Sequence, residues 1–204
     1  MKIFVTGVNG QLGHDVMNEL IRRGHIAVGS GSKAVYSGMA DGTAVTTAPY
    51  VSLDITDADA VRRVITDVQP DAVIHCAAWT AVDLAEGDDK VAQVRAVNAG
   101  GTQHIADVCK ELDCKMLYLS TDYVFNGQGT EPWQPDCKDY QPLNVYGQTK
   151  LEGDWLCRRR WKNISSSVSP GYSVRMARIS LRPCSMSARR TIRFASSMTR
   201  LAPP

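Results

Sequence analysis

The stretch Lys2-Ile3-Phe4-Val5-Thr6-Gly7-Val8-Asn9-Gly10-Gln11-Leu12-Gly13 passes from a β-branched, strand-like segment through a glycine-rich turn into the start of a helix. Each glycine has its own task in such a turn. Gly7 permits the tight bend, Gly10 lets backbone N–H groups approach a pyrophosphate, and Gly13 lets the helix pack close on the strand. The helix N-terminus then points partial positive charge at an anion. Asn9, Gln11 and Leu12 lie between the glycines and are candidate cofactor contacts with them. Glycine triads also occur in purely structural turns. Here the triad follows a strand and precedes an amphipathic helix, and that setting favours dinucleotide binding.

Outward from this turn, residues 1 to about 120 alternate short β-branched runs with longer helical stretches, the pattern of βαβ units around a parallel sheet. The expected strands are Lys2 to Thr6, His25 to Gly29, Tyr50 to Leu53, Ala72 to His75 and Lys115 to Leu119. The expected helices are Gln11 to Arg23, Ala58 to Val68 and Lys90 to Leu112. Leu12, Val16, Leu20 and Ile21 form one apolar stripe on the first, and Gly24 stops it. Asp57 can cap the second, and Pro70 follows its end. Residues 30 to 49 read as a loop, and a helix restarts after Asn144 through Tyr146, Lys150 and Leu151. The predicted fold class is α/β, a Rossmann-type doubly wound parallel sheet.

In such a sheet the end of the second strand meets the adenosine ribose. An acidic residue there favours NADH, but this sequence reads Gly29-Ser30-Gly31-Ser32-Lys33. The hydroxyls of Ser30 and Ser32 and the cation of Lys33 suit a 2′-phosphate, so NADPH is the expected cofactor, with a loop that tolerates NADH as well the other reading. Asp54 and Ile55 after the third strand are placed to meet the adenine, although Asp54 can equally serve as a local helix cap. Ala77 and Ala78 after the fourth strand leave room for a cofactor against the backbone.

The catalytic candidate is Tyr146-Gly147-Gln148-Thr149-Lys150. Tyr and Lys at this spacing share one helix face, so an ammonium beside the phenol would lower its pKa toward the operating pH. By itself the pair is a weak signal. It gains weight from Ser120-Thr121-Asp122 at the end of the fifth strand, at the carboxyl edge of the sheet where ligands of doubly wound folds bind.

TGVNGQLG, HCAAWTAVDLAE, STDYVFNGQG and PLNVYGQTKLEG, in that order over residues 1 to about 155, resemble the dTDP-4-dehydrorhamnose reductase family of the extended short-chain dehydrogenase/reductase superfamily. The resemblance implies reduction of the 4-keto group of dTDP-4-dehydro-L-rhamnose by NADPH or NADH. It assigns Thr121 to orient the carbonyl oxygen, Tyr146 to protonate it, and Lys150 to tune Tyr146 and hold the cofactor ribose. Asp122 and Tyr123 would face the sugar. Other members of the superfamily are epimerases and dehydratases that retain NAD, and a silent NADP-binding regulatory subunit is a further alternative. A homodimer is allowed and no metal site is expected.

The formal net charge of +2 hides an asymmetry: residues 155 to 204 hold 11 Lys and Arg and no acid, against 12 Lys and Arg and 21 Asp and Glu before them. Beyond Lys162 neither a strand nor a helix period is visible. The division expected is therefore an NAD(P)-binding domain over 1–155 and a basic, poorly ordered tail over 156–204, with the substrate-binding lobe of the family largely missing. A basic tail can bind nucleic acid. A shifted reading frame is the favoured explanation. Joining each codon's third base to the next two turns TCN serine codons into codons for Phe, Leu, Ile or Val, and residues 163–174 then permit YFIVRIAWVFG. Source DNA with these serines encoded in frame in several independent isolates would overturn it.

A 44% apolar content excludes a wholly disordered chain, and no apolar run approaches the roughly 18 residues of a membrane span. The sequence lacks the pattern of a secretory signal, and six scattered cysteines show no zinc spacing, so a cytoplasmic protein with reduced thiols is expected.

Overall fold

The computed structural model describes residues 1–40, 42, 47–128, 133–134, 136–160 and 163–169. Its strands are β1 (Lys2–Thr6), β2 (Ile26–Gly31), β3 (Tyr50–Ser52), β4 (Ala72–His75), β5 (Lys115–Thr121) and β6 (Ile164–Ser169). All pair in parallel, in the order β3-β2-β1-β4-β5-β6. The expected doubly wound α/β sheet is what forms. The chain winds outward from β1 to β3 and returns to β4 on the other side of β1, so the C-terminal ends of β1 and β4 border the crevice where the winding reverses.

Parallel strands covered on both faces are apolar throughout, and Ile3, Phe4, Val5, Val73 and Ile74 are each at most 4% exposed. Alternate residues feed two cores. Ile3, Val5 and Ile74 pack with Val16, Met17 and Leu20 of α1 (Gln11–Arg22). Phe4, Val73, Met116 and Tyr118 pack with Val61 and Ile65 of α2 (Ala58–Val68) and Ile105, Val108 and Cys109 of α5 (Thr102–Glu111). Asp57 caps α2, accepting from the N–H groups of Asp59 and Ala60 at 3.0 Å each. The N-cap of α1 is Gly10, which has no side chain to offer, so that helix end is left open toward the crevice.

Several elements depart from the sequence reading. The expected helix over residues 90–112 is three pieces: α4 (Val91–Arg95), a π-helical turn at Ala96–Gly101, and α5. Short helices α3 (Val82–Ala85) and a 3-10 turn at Asp122–Val124 were not anticipated. Ser30 and Gly31 belong to β2 rather than to a loop. The division expected at residue 155 falls inside α6 (Val145–Arg160), and the aperiodic text after it contributes β6, whose residues run from Met116↔Ile164 to Thr121↔Ser169 along β5. Pairing between backbones tolerates serine, and Ile164 also packs against the larger core. Residues 170–204, most of the expected tail, lie outside the described residues. Among the described residues no helix is long and apolar enough to cross a membrane.

Candidate active site

Two adjoining clefts open at the carboxyl edge of the sheet. The larger, about 610 Å³, is floored by the turn between β1 and α1. Gly7 has φ +74°, and a Cβ on it would stand 2.6 Å from the Ala77 nitrogen, while a Cβ on Gly13 would stand 2.3 Å from the Gly7 carbonyl oxygen. The turn, the β4 end and the first turn of α1 are thus in backbone contact, and the open helix terminus lies in the cleft wall. Asn9, Gly10, Gln11, Leu12, Ser30, Ser32, Asp54, Ile55, Ala77 and Ala78, all expected cofactor contacts, line this cleft together with Gly7 and Gly13.

Three of these side chains are already engaged. Ser30 donates to the Val5 carbonyl at 3.4 Å. Asp54 accepts from the Thr56 N–H and hydroxyl at 2.9 and 2.8 Å in a local turn ahead of α2, whose cap is Asp57 and not Asp54. Asn9 accepts from the Ser37 N–H at 3.1 Å and so ties the segment after β2 to the glycine-rich turn. Lys33 is not among the lining residues; its carbonyl accepts from the Tyr50 hydroxyl at 2.8 Å.

The second cleft, about 350 Å³, brings Thr121, Tyr146 and Lys150 together with Tyr123; Asp122 does not line it. Instead the Asp122 carboxylate accepts from the Thr121 hydroxyl at 3.2 Å. The Tyr123 and Tyr146 rings pack edge-on, with centroids 5.5 Å apart. Leu12, Cys76, Ala78 and Thr80 line both clefts, so the two are continuous.

One electrostatic expectation is overturned. The Tyr146 phenol is held above its ordinary pKa, because burial outweighs the lowering by the Thr121 hydroxyl, and Asp122 and Tyr123 add to the rise. The Lys150 ammonium is not among the groups that lower it and sits over the Tyr118 ring, 4.2 Å from the centroid. Lys150 is 4% exposed, and burial lowers its own pKa to about 8.

Under both clefts runs a row of polar side chains set by strand register, Thr6↔His75 and His75↔Tyr118. The Thr102 hydroxyl donates to the Asn98 carbonyl at 2.6 Å, so toward His75 Nε2, 3.1 Å away, it can only accept. That makes His75 the Nε2–H tautomer, and Nδ1 accepts from the Thr6 hydroxyl at 2.7 Å. Thr6 in turn accepts from the Ala77 N–H at 3.2 Å, fixing the backbone that borders the larger cleft. Tyr118 stacks on His75 with centroids 6.0 Å apart and donates to the Lys150 carbonyl at 2.8 Å.

Sequence reading missed this row and Asn98. The Asn98 side chain accepts from the Trp79 N–H at 2.8 Å and donates to the Thr149 hydroxyl at 3.1 Å, linking the π-turn to the helix that carries Tyr146 and Lys150. A signal was present: Asn98-Ala99-Gly100-Gly101 is an unfavourable string for a helix interior, and π-turns gather at functional sites.

Burial lowers the His75 pKa to about 3, with Lys150 adding to the effect. A folded-state value below the unfolded one near 6.5 gives stability that is present above pH 6.5 and lost as the pH falls toward 3. Between pH 7 and pH 5 this single group is expected to cost about 2 kcal/mol of unfolding free energy. Urea titrations should show a shallower pH dependence in His75→Gln by that amount; equal slopes would clear His75 of the role.

The family model described as the RmlD substrate binding domain matches residues 1–165. The dTDP-4-dehydrorhamnose reductase of Streptomyces griseus is 35% identical over 186 residues, covering 86% of this chain and 54% of that protein. The enzyme of the same name from Escherichia coli K12 is 32% identical over 154 residues, 76% of this chain and 46% of its own. A dTDP-4-dehydrorhamnose reductase from Bacillus anthracis, solved in complex with NADP, has a TM-score of 0.70 at 28% identity and covers 83% of this chain and 53% of that one. The ortholog from Clostridium acetobutylicum has the same TM-score, 0.70, at 29% identity over 82% and 52%. The chain spans about half the length of the relatives it matches. With the match running from the residues before β1 into the start of β6, the chain belongs to the family of the RmlD substrate binding domain, among relatives named dTDP-4-dehydrorhamnose reductase.

Proposed function

We propose that this chain carries the cofactor-binding and proton-handling half of an NADPH- or NADH-dependent reductase acting on the 4-keto group of dTDP-4-dehydro-L-rhamnose. The observation that carries the reading is the continuity of the two clefts through Leu12, Cys76, Ala78 and Thr80. It puts a glycine-rich dinucleotide cradle against a Thr, Tyr and Lys set.

The residues fit the cofactor. The space a Cβ would fill at Gly7 and Gly13 is taken up by backbone, which brings N–H groups to the cleft floor, and the uncapped α1 terminus offers further donors to a pyrophosphate. Asn9, Gln11 and Leu12 flank that floor, and Ala77 and Ala78 leave the nicotinamide side free of bulk. Ser30, Ser32, Asp54 and Ile55 border the adenosine end. Lys33 serves the 2′-phosphate in this reading, by reaching in from the segment anchored at the Tyr50 hydroxyl. NADPH bound there supplies the hydride for the carbonyl carbon.

The chain's own residues manage the oxygen. Thr121 orients it by hydrogen bonding, and Tyr146 donates its phenolic proton to it. The raised pKa keeps Tyr146 protonated at neutral pH, the form a proton donor needs. Lys150, an ammonium below about pH 8, holds the ribose hydroxyls of the cofactor. Tyr123, and Asp122 through Thr121, shape the sugar side. The reading takes the sugar nucleotide as partner and the cytoplasm as setting, and leaves room for a homodimer.

The test is a fluorescence titration of the 204-residue protein with NADPH, followed by turnover with dTDP-4-dehydro-L-rhamnose. Saturable NADPH binding is expected, with little or no turnover by this chain alone, since its relatives are about twice as long. A folded protein that binds no NADPH overturns the reading. Turnover at the rate of a full-length relative would show that these residues suffice for the substrate as well.

A further inference from the structure

Tyr146, Lys150, Asp154 and Arg158 recur at four-residue intervals along α6 and so form one stripe on one helix face. The first two belong to the site already described. The last two continue it into the protein: Asp154 is 4% exposed, a depth at which a carboxylate is costly unless it serves a partner. Arg158 Nε donates to both of its oxygens, at 3.0 and 2.9 Å, from a side chain that is itself 56% exposed. One half-solvated guanidinium is thin compensation for a carboxylate this deep.

Lys150, one helical turn before Asp154, has the complementary problem. It too is 4% exposed, and among the described residues its ammonium makes no ion pair and rests on the Tyr118 ring. The titratable groups around it are His75 from β4, Cys76 just after it, Tyr118 from β5, and Asp154 and Cys157 from α6. Near neutral pH His75 is uncharged, burial pushes the Cys76 and Cys157 thiols up to about 12, and it raises the Tyr118 phenol well above its ordinary value. The other charged groups packed against α6 lie nearer solvent. Glu152 is paired with Arg95 at 2.9 Å, Glu86 accepts from the Val145 N–H, and Asp122 is engaged with Thr121. Asp154 is therefore the one charged group in the set around Lys150.

We propose that Asp154, oriented by Arg158, is a positioning residue: the counter-ion that keeps Lys150 an ammonium in the cleft while Tyr146 gives up its proton. It touches neither substrate nor cofactor and acts through Lys150. The proposal rests on the role given to Lys150 above. Asp154 has the sign and the depth to offset the desolvation that lowers Lys150, and among the influences that oppose that desolvation it is the largest. Arg158 limits the effect by sharing the same carboxylate, so the pair sets how basic Lys150 is.

The experiment follows the Lys150 signal by NMR in the 204-residue protein labelled with [ε-13C]lysine, assigned by its loss in Lys150→Met, over pH 6 to 11. Asp154→Asn is expected to raise the acid dissociation constant of Lys150 about tenfold, and the upper pH limit of NADPH binding should fall with it. Arg158→Gln, at a half-exposed side chain, is expected to change it the opposite way, lowering it several-fold, because the freed carboxylate then serves Lys150 alone. A merely structural Asp154–Arg158 pair would give two destabilised proteins with unmoved Lys150 titrations, and that result overturns the proposal. So would a Lys150 titration that Arg158→Gln leaves in place should Asp154→Asn not fold. Absence of NADPH binding in the unsubstituted protein strikes at the cofactor reading instead, since the Lys150 titration is read without cofactor.

Discussion

Gly13→Ala is expected to abolish measurable dinucleotide binding. The added Cβ would stand 2.3 Å from the Gly7 carbonyl oxygen, 2.7 Å from its carbon and 2.8 Å from the Val8 Cα. All three obstacles are backbone, so no rotamer change relieves the clash, and α1 must move off β1. Its open N-terminus then leaves the cleft floor, and the N–H groups lose their common aim. The affinity for NADPH should fall by at least about 100-fold, roughly 3 kcal/mol. Isothermal titration of the folded variant decides it, and binding within about threefold of the parent would show that the close approach of Gly13 to Gly7 is not what forms the site.

The second large effect is expected at Gly147→Ala, between Tyr146, the proposed proton donor, and the rest of α6. A Cβ there would lie 2.2 Å from the Tyr123 carbonyl oxygen and 3.2 Å from the Pro142 Cβ. The first turn of α6 must separate from the 3-10 turn after β5, which carries Tyr146 away from Thr121. Overpacking against backbone is expected to cost about 3 kcal/mol of stability, read as a lowered urea midpoint at constant slope. NADPH binding should fall far less than in Gly13→Ala, since the glycine-rich turn is untouched. A variant as stable as the parent would mean that α6 and the 3-10 turn yield more easily than their contact suggests. The two glycines thus separate the cradle from the proton-handling helix.

Most of this architecture was readable in residue order, for a physical reason. Buried parallel strands need short β-branched runs, and the helices over them need one apolar face, so β1, β4 and α2 lie where periodicity placed them. Periodicity fails where side chains do not decide. The π-turn at Ala96–Gly101 adds one residue without ending the helical path, so the apolar spacing of Val91, Val94 and Ile105 passes through it as one helix. β6 is held through its backbone to β5, and a serine run leaves no alternation to detect. In the candidate site, spacing and position singled out Thr121, Tyr146 and Lys150, and the fold brings them to one cleft, Thr121 from the end of β5 and the other two from the first turns of α6. The direction of the Tyr146 pKa was not readable. It follows from burial of the phenol, which is a matter of how α6 packs and not of spacing within one helix.

The row that begins at Thr6 has one consequence for how motion reaches the chemistry. Tyr118 spans the distance from its strand to the Lys150 carbonyl as a single stiff ring, and its register partner on β6 is Ser166. β5 and the Lys150 turn of α6 are therefore joined by a rigid aromatic strut and not by a compliant loop.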